Sequence, residues 1–165
     1  MNIPFLSRKV ILVGGFGVGK TSLIRQYVHQ IFTDEYLVTI GVKVDKKVVQ
    51  IEDKQVSMIL WDIAGEVSMQ KINHSYYLGA NGIIYVMDLS RPSTFERSTA
   101  DVNFFRQLLP KSKLLVVGNK TDLLTDSELK EIQAKIPVTC DFFTSAKNGT
   151  GLEDMFYKMA SSFIE

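Results

Sequence analysis

Two hydrophobic patterns alternate along this chain. Val10–Val13, Met58–Trp61, Ile83–Met87 and Leu114–Val117 are nearly unbroken apolar runs, each followed by Gly, Asp or Asn. Such runs suit strands buried on both faces, as in a parallel sheet covered by helices. Val42–Ile51 is longer and mixes Val with Lys, which predicts an edge strand. Glu52-Asp53-Lys54 then predicts a turn into an antiparallel strand at Val56–Trp61. Between the runs, apolar residues recur at helical spacing: Leu23, Tyr27 and Ile31, then Val102, Phe105 and Leu109 within a helix predicted over Phe95 to Leu109. Leu152, Met155, Phe156, Met159 and Phe163 repeat the pattern most clearly, and this Met and Phe stripe reads as core. Thr125 with Glu128, and Thr150 with Glu153, have capping-box spacing. Glu66 to Leu78 lacks regular periodicity and predicts a loose or rearranging helix. The expected architecture is a three-layer α/β fold over residues 1–165 as a single domain. Its sheet is six-stranded and mostly parallel, with one antiparallel edge strand and helices on both faces.

Composition narrows the classes of function. The 165 residues are 45% hydrophobic and 22% charged, ordinary for a globular domain, with a net charge of +1. No basic field is available to attract nucleic acid or an anionic membrane. The one cysteine, Cys140, excludes an internal disulfide and lies in the apolar stretch PVTCDFF, where it reads as a structural thiol. The N-terminal segment lacks signal-peptide form, the apolar runs are too short to span a bilayer, and SSFIE offers no prenylatable cysteine. These features predict a cytoplasmic monomer with no direct membrane anchor.

Candidate chemistry gathers where the strands end, the place where ligands bind in such sheets. Gly14-x4-Gly19-Lys20-Thr21 follows the first strand and opens the first helix, the context of a phosphate-binding loop. Successive backbone N–H groups make an anion nest there, strengthened by the helix N-terminus. Lys20 would reach the β- and γ-phosphates, and the Thr21 hydroxyl would bind Mg2+. Asp62, in WDIAG, supplies a carboxylate for the same ion, and Gly65 lets a backbone N–H approach the γ-phosphate. Asn119-Lys120-Thr121-Asp122 carries the base selectivity. The Asp122 carboxylate accepts from guanine N1–H and the exocyclic amine, whereas adenine would present it with a lone pair. Asn119 bridges loops, the Lys120 stem lies along the ring, and the Ala146 N–H in TSAK donates to the guanine carbonyl.

The ordered set GGFGVGKT, TIG, WDIAG, NKTD and TSAK resembles the Ras superfamily of small GTPases over essentially the whole chain. FTDEY, TIGV and SYYLGA look most like the Rab branch. The resemblance implies a P-loop, small G-protein domain that binds GTP/GDP with Mg2+. Its implied nucleotide set is Gly14, Gly15, Phe16, Gly17, Val18, Gly19, Lys20, Thr21, Ser22, Phe32, Tyr36, Thr39, Gly65, Asn119, Lys120, Asp122, Ser145, Ala146 and Lys147. Within it, Phe32 meets the guanine edge, Tyr36 lies near the phosphates, and Thr39 meets both Mg2+ and the γ-phosphate. The metal set is Thr21, Thr39 and Asp62, and the catalytic set is Glu66, Thr39 and Lys20. Effectors, exchange factors and activating proteins would be met through residues 33–47 and 64–78.

Three residues depart from the family pattern. Efficient members usually carry Gln where this chain has Glu66, which keeps an acceptor for water but loses the amide donor. At about 5 Å and an effective dielectric near 20, its charge repels a γ-phosphate charge by roughly 3 kcal/mol before compensation. Phe16 stands where small residues are usual and projects toward the place an arginine finger enters. Val44 replaces a common aromatic. Slow hydrolysis is the expected reading, and the alternative is that Glu66 itself acts as a base. A second class of function is a non-catalytic interaction module locked with GTP or GDP and recruiting effectors. A third, an ATP-using kinase, is opposed by Asp122 and by the lack of an acceptor lid.

Overall fold

A computed structural model describes residues 3–35 and 37–165. Six strands, β1 (Phe5–Gly14), β2 (Val42–Ile51), β3 (Lys54–Ile63), β4 (Gly82–Asp88), β5 (Lys113–Asn119) and β6 (Phe142–Thr144), form one sheet. Their order is β2-β3-β1-β4-β5-β6, and every pairing is parallel except β2 with β3. The β2–β3 register runs from Val42 opposite Ile63 to Ile51 opposite Lys54, leaving a two-residue turn in which Glu52 takes φ 53°. A positive φ at the turn suits a hairpin whose strands twist right-handed. β2 is the edge strand, and it exposes Lys43, Val44, Lys46 and Val48.

Side chains alternate across β1, and the two cores divide accordingly. Val10 and Leu12 face a layer formed by α1 (Lys20–Ile24) and α4 (Leu152–Ser161), with Leu23, Tyr27, Met155, Phe156 and Met159 buried between. The Tyr27 and Phe156 rings stack at 3.9 Å between centroids. Ile11 and Val13 face the other way, against Val102 and Phe105 of α2 (Ser98–Leu108) and partly buried Ile132 of α3 (Asp126–Lys135). The chain leaves the carboxyl end of β1 toward β2 and β3 on one side. It leaves that of the adjacent β4 toward β5 on the other, so the connections part between these strands. The crevice this opens lies directly above the glycine loop.

Four local expectations need correction. Ile31 does not share the face of Leu23 and Tyr27. A π-helical turn at Arg25–His29 widens the helix, Gln30 then turns left-handed, and Ile31 is 49% exposed. The helix predicted from Phe95 begins at Ser98, after a 3-10 turn over Pro92–Thr94. Thr125 and Glu128 form the predicted capping box, but Thr150 does not cap α4. The Thr150 hydroxyl is taken by Asn148 Oδ1 and its carbonyl accepts from Ser145 N–H, so Gly151 opens that helix in a left-handed conformation. Finally, residues 66–78 form no α-helix. They make 3-10 turns at Met69–Lys71 and His74–Tyr76, with Met69, Ile72 and Tyr77 buried in the second core.

Candidate functional site

The loop from Gly14 to Gly19 joins β1 to α1 and rims a cleft of about 320 Å³. Gly19 opens α1 at φ 105°, with the Asn119 side-chain amide where a Cβ would stand. Gly65 passes so close that a Cβ would lie 2.6 Å from Gly15 O. These two positions admit glycine alone, for different reasons: one is the backbone angle and the other is space.

Lys20 is buried, and its Nζ donates to Gly15 O at 2.8 Å and Gly14 O at 3.2 Å. Burial lowers its pKa to about 8, against the opposing pull of Asp62. A lysine held this way keeps its ammonium under the loop without a carboxylate in contact, ready for an anion above it.

Beside it, three oxygen-bearing side chains from separate elements converge. Thr21 Oγ1 of α1 lies 2.5 Å from Asp62 Oδ2 of β3 and 2.7 Å from Thr39 Oγ1 of the preceding loop. Thr39 Oγ1 is also 3.2 Å from Asp62 Oδ2. The other carboxylate oxygen, Asp62 Oδ1, is buried and has no hydrogen-bond partner among the described residues. Burial raises the Asp62 pKa despite hydrogen bonds from both threonines and the charge of Lys20. A buried, unpartnered carboxylate oxygen is costly unless a cation completes it. One carboxylate and two hydroxyls form a hard oxygen set that suits Mg2+, an ion that keeps water or phosphate oxygens as its remaining ligands.

The other end of the cleft is built by the loops after β5 and β6. Asn119 Nδ2 donates to Val18 O at 3.0 Å, and Asn119 Oδ1 accepts from Thr144 Oγ1 at 2.9 Å. Lys120 sits at φ 72° and reaches back to Gly17 O at 2.8 Å. Asp122 Oδ1 accepts from Ser145 Oγ at 2.7 Å, and Asp122 lines the cleft together with Ala146 and Lys147. Phe32 also lines the cleft.

Phe16, Gly17, Gly19, Lys20, Thr21, Ser22, Phe32, Thr39, Gly65, Asn119, Lys120, Asp122, Ala146 and Lys147 therefore line one cleft. Gly14 and Val18 are buried behind it, where Val18 belongs to the first core, and Ser145 braces Asp122 from outside. Tyr36 lies outside the described residues. Glu66 does not line the cleft: its Oε1 accepts from the neighbouring Val67 N–H at 2.8 Å.

Sequence reasoning missed two residues. Asp88 ends β4 and is fully buried, and its Oδ2 lies 2.9 Å from both Lys120 Nζ and Arg91 Nε. Its Oδ1 accepts from Ser90 Oγ and Ser90 N–H. Arg91 continues to Phe16 O, with Nη2 at 2.5 Å. Asp88 thus fastens the loop after β5 and the glycine loop to one strand end. Burial by itself would raise its pKa, but the hydrogen bonds from Lys120 and Ser90 outweigh it and the net shift is downward. A depressed carboxylate stabilises the fold above its ordinary value of 3.8, and that contribution is lost as pH falls through the lower folded value. Wild type should therefore lose thermal stability on acidification from pH 6 to pH 3 more steeply than Asp88→Asn. Parallel melting curves would contradict this, since the raised carboxyls of Asp62 and Asp101 act alike in both proteins.

With the geometry in place, similarity to known proteins decides the family. The Ras family sequence model matches residues 9–165. The chain belongs to the Ras superfamily of small GTPases. Its relatives place it near the Rab branch. It is 36% identical over 165 residues to the Ras-related protein Rab-7a of Paramecium octaurelia, spanning 93% of this chain and 80% of that protein. It is 34% identical over 163 residues to the Ras-related protein Rab-1C of Dictyostelium discoideum, spanning 93% of this chain and 79% of that protein. In this small GTPase the six-stranded sheet, the antiparallel edge strand and the glycine loop are those expected of the family. Among the described residues no helix is long and apolar enough to cross a membrane.

Proposed function

We propose that this protein is a guanine-nucleotide switch that binds GTP and GDP with Mg2+ and hydrolyses GTP slowly. The observation that carries the proposal is the convergence of Thr21, Thr39 and Asp62 around an unpartnered Asp62 Oδ1, within the same cleft that Asp122 and Ala146 close at its far end. Lys20 holds the phosphates by charge, Asp122 selects guanine, and Thr39 reports the γ-phosphate by closing its loop onto the metal site. Mg2+, when bound, supplies positive charge to the phosphate oxygens. Hydrolysis is attack of water on the γ-phosphorus with GDP as the leaving group, and the chain's part is positioning and electrostatics.

Slowness is read from Glu66 and Phe16. Glu66 is a carboxylate with no amide to present to a water, and its Oε1 is taken by its own backbone neighbour off the cleft. Phe16 is 52% exposed and lines the cleft, so its ring crowds the approach of a partner's arginine. The same two observations favour a second reading, a module held in one nucleotide state that recruits effectors through residues 33–47 and 64–78. Ile40, Val38 and Val67 are exposed apolar side chains on those segments.

Mass analysis of the copurified nucleotide, followed by timed single-turnover hydrolysis, separates the readings. Bound GDP with measurable turnover supports the slow enzyme; retained GTP without turnover supports the locked module; absence of any guanine nucleotide affinity defeats both. In that assay Glu66→Gln should raise the hydrolysis rate by roughly tenfold, because it restores the amide and removes a charge. An unchanged or lower rate would clear Glu66 of blame.

A further inference from the structure

Residues 64–78 follow β3, with Gly65 lining the cleft, and on the switch reading above would be expected to move as one segment when the γ-phosphate is lost. Their packing divides them sharply. Val67 is 64% exposed and Glu66 bonds only within the loop, whereas Met69 is 1% exposed and buried with Ile72, Tyr77 and Ala80 in the second core.

Both backbone groups of Met69 are held from outside the segment's first half. Tyr77 Oη donates to Met69 O at 2.9 Å, and Asp101 Oδ1 of α2 accepts from Met69 N–H at a longer 3.4 Å. Asp101 Oδ2 accepts from Tyr85 Oη of β4 at 2.9 Å. All four residues are buried, Asp101 included at 4% exposure. Tyr77 is fixed in turn by an edge-on contact with Phe105, 5.1 Å between centroids. A carboxylate is expensive to bury and is tolerated here because tyrosine and backbone donors satisfy it. Releasing Met69 would strand the Tyr77 hydroxyl and Asp101 Oδ1 in an apolar core, a penalty that freeing Glu66 or Val67 does not carry.

We infer that Asp101 and Tyr77 make Met69 a fixed post, which confines nucleotide-driven movement in this segment to residues 64–68 and leaves 69–78 insensitive to the bound nucleotide. This inference rests on the proposed switch. It assigns Asp101 as a positioning residue. A partner that docks only on 69–78 and α2 would bind the GTP and GDP forms equally. A partner that discriminates must touch 33–42 or the short loop 64–68.

Amide hydrogen exchange on the full chain, loaded with GDP or with a non-hydrolysable GTP analogue, tests the inference. Exchange over 69–77 should agree between the two forms within about twofold, while 33–42 and 64–68 differ by about tenfold or more. Asp101→Ala and, separately, Tyr77→Phe should speed exchange over 69–72 by about tenfold, the scale of one lost buried hydrogen bond. Asp101→Asn, which keeps an acceptor oxygen, should restore most of the protection. A tenfold nucleotide-dependent difference over 69–77 in wild type overturns the inference. So does wild-type protection in both Asp101→Ala and Tyr77→Phe. If the chain fails to load with either nucleotide, the switch reading is what falls. The post is then decided by comparing Asp101→Ala with wild type in the nucleotide-free chain.

Discussion

Asp122→Asn will weaken GDP binding by about 100-fold, measured by displacement of a fluorescent guanine nucleotide. The introduced amide keeps an acceptor oxygen for Ser145 Oγ, which bonds Asp122 Oδ1 at 2.7 Å, so the loop itself should stand. What is lost is the second, charge-assisted acceptor, replaced by an NH2 group that points its hydrogens at the guanine amine. Hydrogen bonds to a charged group contribute about 1.5–3 kcal/mol, and each 1.4 kcal/mol is roughly tenfold in affinity. Adenine nucleotides, which gain nothing from the carboxylate, should show no comparable loss. Affinity for GDP within about threefold of wild type would remove Asp122 from the base pocket, since that margin is under about 1 kcal/mol.

Lys20→Met should have the larger effect, about 10³-fold on GTP affinity. The methionine keeps an apolar stem of similar length, so the change isolates the ammonium. A unit charge about 4 Å from a phosphate oxygen at an effective dielectric near 20 is worth about 4 kcal/mol. The ammonium is aimed by the carbonyls of Gly14 and Gly15, which hold it under the loop. Titration calorimetry with GTP and GDP reads the result. A loss below about tenfold would mean that loop amides, and not Lys20, carry most of the phosphate binding.

The sheet was legible because strands covered on both faces have no reason to alternate: Val10–Val13 and Ile83–Met87 are apolar throughout and are buried throughout. The site was legible for a different reason. Gly19 and Gly65 are required by angle and by space, so the glycine loop shows in sequence what the fold demands there. What failed were choices among competing local partners. Nothing in the order of residues says that Asn148 will take the Thr150 hydroxyl, or that Arg25–His29 will wind as a π turn and throw Ile31 into solvent. Asp88 escaped because an aspartate after an apolar run reads as the end of a strand. Its role appears only when Lys120, distant in sequence, is brought 2.9 Å away. The orientation of Glu66 is a rotamer, and the burial of Asp101 is tolerated because Tyr85 and the Met69 N–H stand opposite it.

The ties between the two ends of the cleft also bear on time. Asn119 grips Val18 O, Lys120 grips Gly17 O, and Asp88 joins Lys120 to Arg91 and so to Phe16. On the proposed reading, a nucleotide held at both ends should release its base and its phosphates together, because the loops share these contacts. Departure is then expected to be a single concerted opening. The same linkage makes the opening easy to trigger from either side. Prising any one of Lys120, Asp88 or Phe16 out of place relaxes the grip on both the base and the phosphates at once.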